Sequence, residues 1–339
     1  FVATNAQINE TIIRGSASLK SSYGYWNFQI YAPNIVKVTF TPFNSKNNDK
    51  ISDAVILHNQ PIMGRQLLDS KNKTSKINWP NSSIEVNDSI ALVDGLKRIK
   101  IIPSITADFK TFKIELADNE KIFGGGERAL PFNRRGYKFN LYNNPWYGYA
   151  EGADNLNYSV PFFTSSKMYG LYFDNPSKGF ADIAKTQTNV FEVGFADGEL
   201  NVYVITGKNY QEILQSYHQI TGTQPLPPRW ALGNLMSRFG YTSQQQVTEI
   251  AAKMKQEKIP FDAVIFDLFW FGDSIKGTLG NLDWVNKKAW PNPKQMIQNF
   301  KQEGINTILI TEPFVLKTTK NFKQAEQYLA VDSVKQPYM

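Results

Sequence analysis

Two patterns of apolar and polar positions divide the chain. Up to about residue 205, short runs such as residues 26–31 and 36–40 alternate apolar with polar side chains, which predicts strands with one face towards water. Turn residues such as Asp197-Gly198 separate these runs. Many short strands with almost no helical periodicity predict an antiparallel β-sandwich. Further strands are predicted at residues 83–86, 99–102, 111–116, 170–173, 190–195 and 200–204.

The pattern changes near residue 208. Residues 210–220 have helical spacing, with Ile213, Leu214 and Tyr217 on one face, and the proline-rich residues 224–228 then form a stiff connection. After Trp230, apolar runs alternate with helical patterns, as expected for a parallel sheet. The predicted strands are 232–236, 263–266 and 306–311, and the predicted helices are 243–256, 293–304 and 322–329.

These elements predict a multi-domain protein. The expected divisions are a β-sandwich at residues 1–207, a helix and proline-rich linker at 208–228, and three βα units at 229–339. A (β/α)8 TIM barrel typically needs about 250 residues. The last segment is therefore either a small open α/β domain or a barrel that is cut after its third unit.

Composition excludes several classes of function. The chain has 339 residues, 42% apolar and 14% aromatic, which is typical of a globular protein. Its lysines are scattered, so a net charge of +7 does not predict nucleic-acid binding. With no cysteine, it has no disulfide framework and no thiolate metal site. His58 and His218 are too isolated to predict a metal centre, and no cofactor is expected.

Apolar runs are too short to predict a membrane span. The sequence begins at Phe1 rather than at a methionine, which leaves room for a removed upstream segment. A periplasmic or secreted location is the expectation, and a cytoplasmic one stays open.

One acid lies in an unusual place. Asp267 directly follows the apolar run 263–266, which is typical of a strand buried on both faces, and it is followed by Leu268, Phe269 and further aromatic residues. Burying a carboxylate is costly unless something pairs with it. A sugar would satisfy both parts of this pattern, because its hydroxyls bond the acid and its apolar ring face covers an aromatic ring. Asp283-Trp284 repeats the combination within one loop.

Several motifs occur in the order found in one enzyme family. They are residues 123–128 (FGGGER), 133–136 (NRRG), 160–163 (VPFF), 170–175 (GLYFDN), 227–233 (PPRWALG), 237–241 (SRFGY), the segment around Asp267, and 290–293 (WPNP). Together they make the chain resemble glycoside hydrolase family 31, the α-glucosidase and α-transglucosylase family. The segments FDLFWFG and GNLDW are most similar to its bacterial 4-α-glucosyltransferase-like branch.

The resemblance implies a galactose-mutarotase-like sandwich followed by the start of a TIM barrel. It implies a retaining glycosidase whose nucleophile and acid/base are carboxyl groups about 5–5.5 Å apart. In the family both come from barrel strands after the third, so they are expected beyond residue 339, with no catalytic residue in this chain. The implied partners are an α-linked oligosaccharide or glucan and the remainder of the barrel. Whether water or another sugar accepts the glycosyl group stays open.

The resemblance also implies a partial sugar pocket. Asp267 would bind sugar hydroxyls, Leu268 and Phe269 would line the pocket, Phe239 would form an aromatic wall, and Trp284 would close one side. All follow strands at the end where barrel active sites lie.

Each of these residues has a structural alternative. Asp267 could pair with Arg238, Phe239 could belong to the barrel core, and Trp284 could anchor a loop. Glu312 is expected to cap or support rather than catalyse, and Glu127 with Arg128 is expected to form an ion pair at a turn. A non-catalytic carbohydrate-binding protein stays open as the alternative function.

Overall fold

A computed structural model describes residues 8–43, 45, 52–57, 62–69, 74–143, 148–154, 156, 158–274, 277–312 and 314–337. The chain forms two compact units, Phe1–Thr223 and Gln224–Met339.

The first unit contains seventeen described strands. They are β1 Ile8–Arg14, β2 Ser16–Lys20, β3 Gly24–Ala32, β4 Ile35–Pro42, β5 Met63–Asp69, β6 Thr74–Trp79, β7 Ser82–Val86, β8 Ile90–Asp94, β9 Lys97–Ile105, β10 Lys110–Glu115, β11 Ile122–Gly124, β12 Tyr137–Leu141, β13 Phe162–Ser165, β14 Tyr169–Tyr172, β15 Gly179–Ile183, β16 Val190–Phe195 and β17 Leu200–Thr206.

These strands form two antiparallel sheets, which confirms the predicted sandwich. One has ten strands in the order β1-β5-β6-β7-β8-β9-β10-β16-β15-β12, and the other has seven in the order β11-β13-β14-β17-β4-β3-β2. Aromatic rings join the two sheets across one core. Trp26 of β3 stacks on Phe112 of β10 with ring centroids 6.0 Å apart, and Phe163 of β13 meets Phe191 of β16 at 4.9 Å.

Strand burial follows the apolar pattern. In β3 the side chains of Trp26, Phe28 and Ile30 are buried, while the residues between them are less so. Every residue of β17 is buried. The reason is the helix α1, Tyr210–Thr221, which packs Ile213 and Ile220 against the same sheet on its other side.

The predicted apolar face of α1 is partly wrong. Leu214 is 44% exposed, whereas Ser216 is buried and its hydroxyl accepts a hydrogen bond from Asn34 Nδ2 at 2.9 Å. The buried face of α1 therefore includes Ser216, a small polar residue with a hydrogen-bond partner, and leaves out Leu214.

A buried acid in the sandwich was not predicted. Glu120 is 4% exposed, and its Oε1 accepts hydrogen bonds from the Ser165 and Tyr169 hydroxyls, each at 2.5 Å. Its Oε2 accepts from the Ala117 N–H at 2.9 Å. Burial, together with the charge of Glu120, raises the pKa of the Tyr169 phenol well above its usual value, so Tyr169 stays a hydrogen-bond donor. Glu120 thus joins β13, β14 and the turn before β11.

The second unit contains a parallel sheet in the order β18-β19-β20, as predicted. Its strands are β18 Leu235–Ser237, β19 Ala263–Phe266 and β20 Asn306–Leu309, and its helices are α2 Gln244–Gln256, α3 Pro293–Gln302 and α4 Phe322–Ala325. Ser243 and Asn292 cap α2 and α3 through side-chain oxygens, and Pro293 occupies the first turn of α3. Val247, Ala251, Met296 and Phe300 bury the apolar faces of these helices.

The predicted limits of three elements are wrong. Instead of a strand at 232–236, Arg229–Leu232 form a 3-10 turn and β18 begins at Leu235. Asp262 accepts a hydrogen bond from the Asn234 N–H at 3.0 Å, and a Cβ at Gly233 would lie 2.1 Å from its Oδ2. This contact fixes the chain before the strand starts. The strand predicted at 306–311 ends at Leu309, and the helix predicted at 322–329 becomes a 3-10 turn after Ala325.

Candidate functional site

The candidate site lies at the carboxyl ends of the parallel strands in the second unit. The central strand β19 ends at Phe266, and Asp267 follows directly. Ser237 of β18 is in register with Ile265 of β19, so two residues further on Phe239 reaches the level of Asp267. The sequence therefore brings an acid and an aromatic residue to one edge of the sheet, where ligands of parallel α/β sheets bind.

Asp267 is half-buried and only partly satisfied. Its Oδ1 accepts a hydrogen bond from the Leu268 N–H at 2.7 Å, which caps the 3-10 turn Leu268–Trp270. Within the part of the chain that the structure describes, no side chain donates to Asp267 and no cation lies within 4 Å of it. The alternative ion pair with Arg238 is not among the ion pairs of the described residues, and the Arg238 guanidinium lies 5.6 Å from the centre of the Tyr241 ring. One carboxylate oxygen can therefore accept hydrogen bonds from a ligand.

Phe239 and Phe269 lie together, as the predicted pocket requires. Their ring centroids are 6.1 Å apart and the rings meet edge to face. Phe239 is 58% exposed in this three-stranded unit, and its alternative place in the core of a complete barrel stays a prediction. Leu268 is buried in the apolar core. Its side chain supports the turn from below, and the two phenylalanines supply the exposed aromatic surface.

Trp284 contacts a different group of rings. Its centroid lies 5.6 Å from Phe266, 5.5 Å from Trp270 and 4.9 Å from Trp290. Among the described residues, its ring contacts do not include Phe239 or Phe269. This packing agrees with the alternative of a loop anchor. The contact between Trp284 and a sugar stays a prediction. Trp284 is half-buried, so only the exposed part of its ring could make this contact.

Two buried tryptophans hold the site loops and were not predicted to do so. The Trp290 indole N–H donates to the Phe269 carbonyl oxygen at 2.8 Å, and the Trp270 indole N–H donates to the Ile310 carbonyl oxygen at 3.0 Å. The first bond fixes the segment that carries Phe269. The second joins the ends of β19 and β20.

We expect Trp290→Phe to lower the free energy of unfolding by about 1–3 kcal/mol. The phenyl ring keeps most of the apolar contact, but the carbonyl oxygen of the half-buried Phe269 loses its donor. Thermal or urea unfolding measures this effect. Trp230→Phe is the matched control, since Trp230 is only half-buried, and it should change stability by less than about 0.5 kcal/mol. Equal losses in the two variants would contradict an anchoring role for the Trp290 bond.

The remaining acids near these strands have other partners or lie further along the chain. Asp283 forms an ion pair with Lys320, and its Oδ1 accepts from the Trp284 N–H at 2.8 Å. The hydrogen bond from Lys320 is the main reason why the pKa of Asp283 lies below its usual value. Glu312 is half-buried and lies three residues beyond the end of β20. Its expected supporting role stays a prediction.

The glycine-rich motif of the first unit is structural, but the predicted ion pair is wrong. Gly126 has a positive φ of +85°, and a Cβ there would lie 2.1 Å from the Tyr158 carbonyl oxygen. The Arg128 guanidinium donates to the backbone oxygens of Glu127 and Asn140 and to the Ser159 hydroxyl, not to the Glu127 carboxylate. Burial lowers the pKa of Arg128 to about 10.

Neither a metal centre nor a membrane helix is found in the described part of the chain. No group of three or more His, Asp or Glu side chains there could hold a metal ion, and His58 lies outside the described residues. No described helix is long and apolar enough to span a membrane.

Comparison with known families matches both units. Residues 25–182 match the glycosyl hydrolase 31 N-terminal galactose mutarotase-like domain. Residues 224–338 match the glycosyl hydrolases family 31 TIM-barrel domain. The second match decides between the two interpretations of the parallel sheet, which is the start of a TIM barrel.

Individual relatives are similar over most of this chain but are much longer. Alpha-glucosidase 2 of Bacillus thermoamyloliquefaciens is 26% identical over 309 residues, which are 86% of this chain and 38% of that protein. An alpha-xylosidase of Saccharolobus solfataricus is 28% identical over 222 residues, 63% of this chain and 28% of its own length. The structure of a Flavobacterium johnsoniae GH31 dextranase complexed with glucose has a TM-score of 0.83 and 25% identity, and covers 94% of this chain and 40% of its own. The chain thus spans about two fifths of the length of the first of these relatives and of the dextranase.

Proposed function

Because this chain belongs to glycosyl hydrolase family 31, we propose that it forms part of a retaining α-glycoside hydrolase or transglycosylase that acts on α-glucosides or α-glucans. The names of its relatives support the substrate class, since they include an alpha-glucosidase and a dextranase. The proposal keeps the division into a sandwich to residue 207, a connection at 208–228 and a barrel portion from 229. It also keeps a periplasmic or secreted location, with a cytoplasmic one open.

The free oxygen of Asp267 is the observation that carries the proposal. This carboxylate follows the central strand of a parallel sheet, close to the exposed Phe239 and the half-buried Phe269, and no described cation neutralises it. A bound sugar would donate hydroxyl hydrogens to the acid while its apolar face covers a phenyl ring of Phe239 or Phe269. Such bonds strengthen where water is excluded. Asp267 therefore acts in binding, and Phe239 and Phe269 form the aromatic wall of the proposed pocket. Leu268 supports this wall from the apolar core, and Trp284 would contribute only its partly exposed side.

The catalytic carboxylates are not assigned to this chain. The three βα units supply Asp267, Asp273, Asp283 and Glu312 near their loops. Asp267 and Asp283 already have binding or structural roles, and Asp273 is exposed. A retaining mechanism needs two carboxyl groups about 5–5.5 Å apart, one as nucleophile and one as acid/base. We propose that this pair lies beyond residue 339, on later strands that complete the barrel.

We expect purified residues 1–339 to release no glucose from maltose, isomaltose or a nitrophenyl α-glucoside. The physical reason is that without a nucleophile and an acid/base the covalent glycosyl-enzyme cannot form. A glucose-release assay compares this chain with a longer protein that contains the same residues together with a complete barrel. Turnover by residues 1–339 that disappears in Glu312→Gln would overturn the assignment. Sugar binding by both proteins with turnover by neither would instead favour a non-catalytic carbohydrate-binding protein.

A further inference from the structure

A cleft of about 760 Å³ opens at one end of the sandwich unit. It lies beyond the carboxyl ends of β12, β14 and β16, and all of its lining residues belong to this unit. Its floor is apolar, because Leu141, Phe173 and Phe195 lie there and belong to the sandwich core. The volume is in the range of sites for small ligands, which are commonly about 300–1,000 Å³.

One wall of the cleft carries a carboxylate with spare acceptor capacity. Asp174 is half-buried, and the hydrogen bond that it accepts within the described residues comes from the Tyr172 hydroxyl at a long 3.5 Å. Tyr172 is held rigidly, since it is 5% exposed and its ring stacks on Tyr203 with centroids 5.8 Å apart. Burial and then the charge of Asp174 raise the pKa of the Tyr172 phenol, so it remains a donor. A ligand hydroxyl could therefore bond the acid and accept from the phenol.

An aromatic ring stands at the rim. Tyr142 is 44% exposed, and the Lys178 ammonium lies 5.8 Å from the centre of its ring. The cation covers part of one ring face and limits the orientations that the ring adopts. Ser159, whose hydroxyl accepts from Arg128, and Ser177 also line the cleft. An apolar floor, an aromatic rim and a few fixed polar groups are the features of a site for a partly apolar, partly polar ring.

The chemistry of the wall excludes other ligand classes. An anion would be repelled by Asp174. Asp53 and Glu199 also line the cleft, but no three described acidic or histidine side chains are grouped so that they could hold a metal ion. A wholly apolar ligand would bury Asp174 without replacing its water. A neutral ring with many hydroxyls is not repelled by Asp174, needs no further acidic ligands, and can replace the water on the Asp174 carboxylate.

We propose that this cleft is a second carbohydrate-binding site, separate from the one around Asp267, that takes a glucosyl unit of an α-linked glucan. The sugar hydroxyls bond Asp174 and the Tyr172 hydroxyl, and the ring stacks on Tyr142. The identity of the ligand as an α-glucan rests on the proposed function. The existence of a binding site rests on the shape and lining residues of the cleft. Such a site would hold a polymer on the sandwich unit independently of the barrel portion.

Titration calorimetry of residues 1–339 with maltotetraose and with isomaltotetraose tests this site. To remove sugar binding at the Asp267 pocket, binding is measured in variants that also carry Asp267→Ala. We expect Asp174→Asn added to Asp267→Ala to weaken the remaining binding about tenfold, since it removes a charged acceptor. Tyr142→Ala should weaken it by a similar factor. Asp108→Asn, on an exposed turn, and Tyr328→Ala, on an exposed tyrosine, are the matched controls and should leave Kd unchanged.

Each outcome has one meaning when circular dichroism shows that the variants are folded. Binding that survives Asp267→Ala and is lost in Asp174→Asn supports the second site. Binding that is lost in Asp267→Ala and is insensitive to Asp174→Asn overturns the second site and leaves the proposed function standing. Binding that depends on Asp174 and not at all on Asp267 supports the cleft and contradicts the Asp267 pocket. No binding of either tetrasaccharide to the unsubstituted chain overturns the cleft.

Discussion

Replacing Asp267 by alanine, in an active enzyme that contains this chain, is expected to lower kcat/KM for α-glucosides about 100-fold. The reason is the loss of a charged acceptor for sugar hydroxyls in a pocket walled by phenylalanines. Hydrogen bonds to charged groups contribute about 1.5–3 kcal/mol each, and each 1.36 kcal/mol changes a rate constant about tenfold. Asp267→Asn should lose less, because the amide keeps one oxygen acceptor. Steady-state kinetics on a nitrophenyl α-glucoside and on maltose measures both variants.

Asp283→Ala is the matched control for this experiment. Asp283 belongs to the same stretch of sequence, also caps the next N–H, and already has Lys320 as its partner. Its replacement should leave kcat/KM nearly unchanged. If Asp267→Ala unfolds the protein, Asp267 has a structural role instead. If Asp267→Ala is folded and fully active, the sugar pocket lies elsewhere.

The second large effect concerns stability. Glu120→Ala is expected to lower the free energy of unfolding of the sandwich by about 3–5 kcal/mol. The change leaves the buried Ser165 and Tyr169 hydroxyls without their acceptor, and each buried unpaired donor costs about 1–3 kcal/mol. The N–H of the exposed Ala117 also loses its acceptor, but water can replace it. Urea unfolding followed by far-UV circular dichroism measures the difference. Glu120→Gln should cost less, since its side-chain oxygen can still accept.

Glu115→Ala is the control for Glu120. Glu115 ends β10 on the surface, and its ion pair with Lys100 is exposed, with 52% of the Glu115 side chain accessible. An exposed ion pair contributes about 1 kcal/mol or less. A loss in Glu120→Ala no greater than that in Glu115→Ala would show that water replaces the missing acceptor.

Local patterns predicted most of the fold because they act within one element. The alternation in β3, the apolar run of β19, and the start of α3 at Pro293 depend on neighbouring residues alone. The prediction for the start of β18 is wrong because this start depends on a residue distant in sequence. Asp262, just before β19, accepts a hydrogen bond from the Asn234 N–H. The face of α1 was predicted partly wrongly because Ser216 finds its partner at Asn34, far away in the sequence.

The site could be predicted only in part, because some of its features depend on contacts between residues that are far apart in the sequence. Asp267 was recognisable as an acid after a buried strand, but its free oxygen and the absence of a described ion pair with Arg238 needed coordinates. The meeting of Phe239 with Phe269 depends on the register of two strands. Trp270 and Trp290 bond backbone carbonyls 40 and 21 residues away, and a carbonyl oxygen leaves no signal in a sequence. Glu120 was missed because its donors lie on two later strands.

The order β18-β19-β20 has a consequence for handling the protein. Among the described residues, β18 and β20 each pair with β19 alone, so both outer strands present a free row of backbone donors and acceptors. Another chain can add to such a row as a further strand, and the half-buried Ile308 and Leu309 favour this addition. Self-association between copies then competes with folding as concentration rises. We expect these two strand edges to limit the working concentration of residues 1–339, because the repulsion from a net charge of +7 weakens as salt screens it.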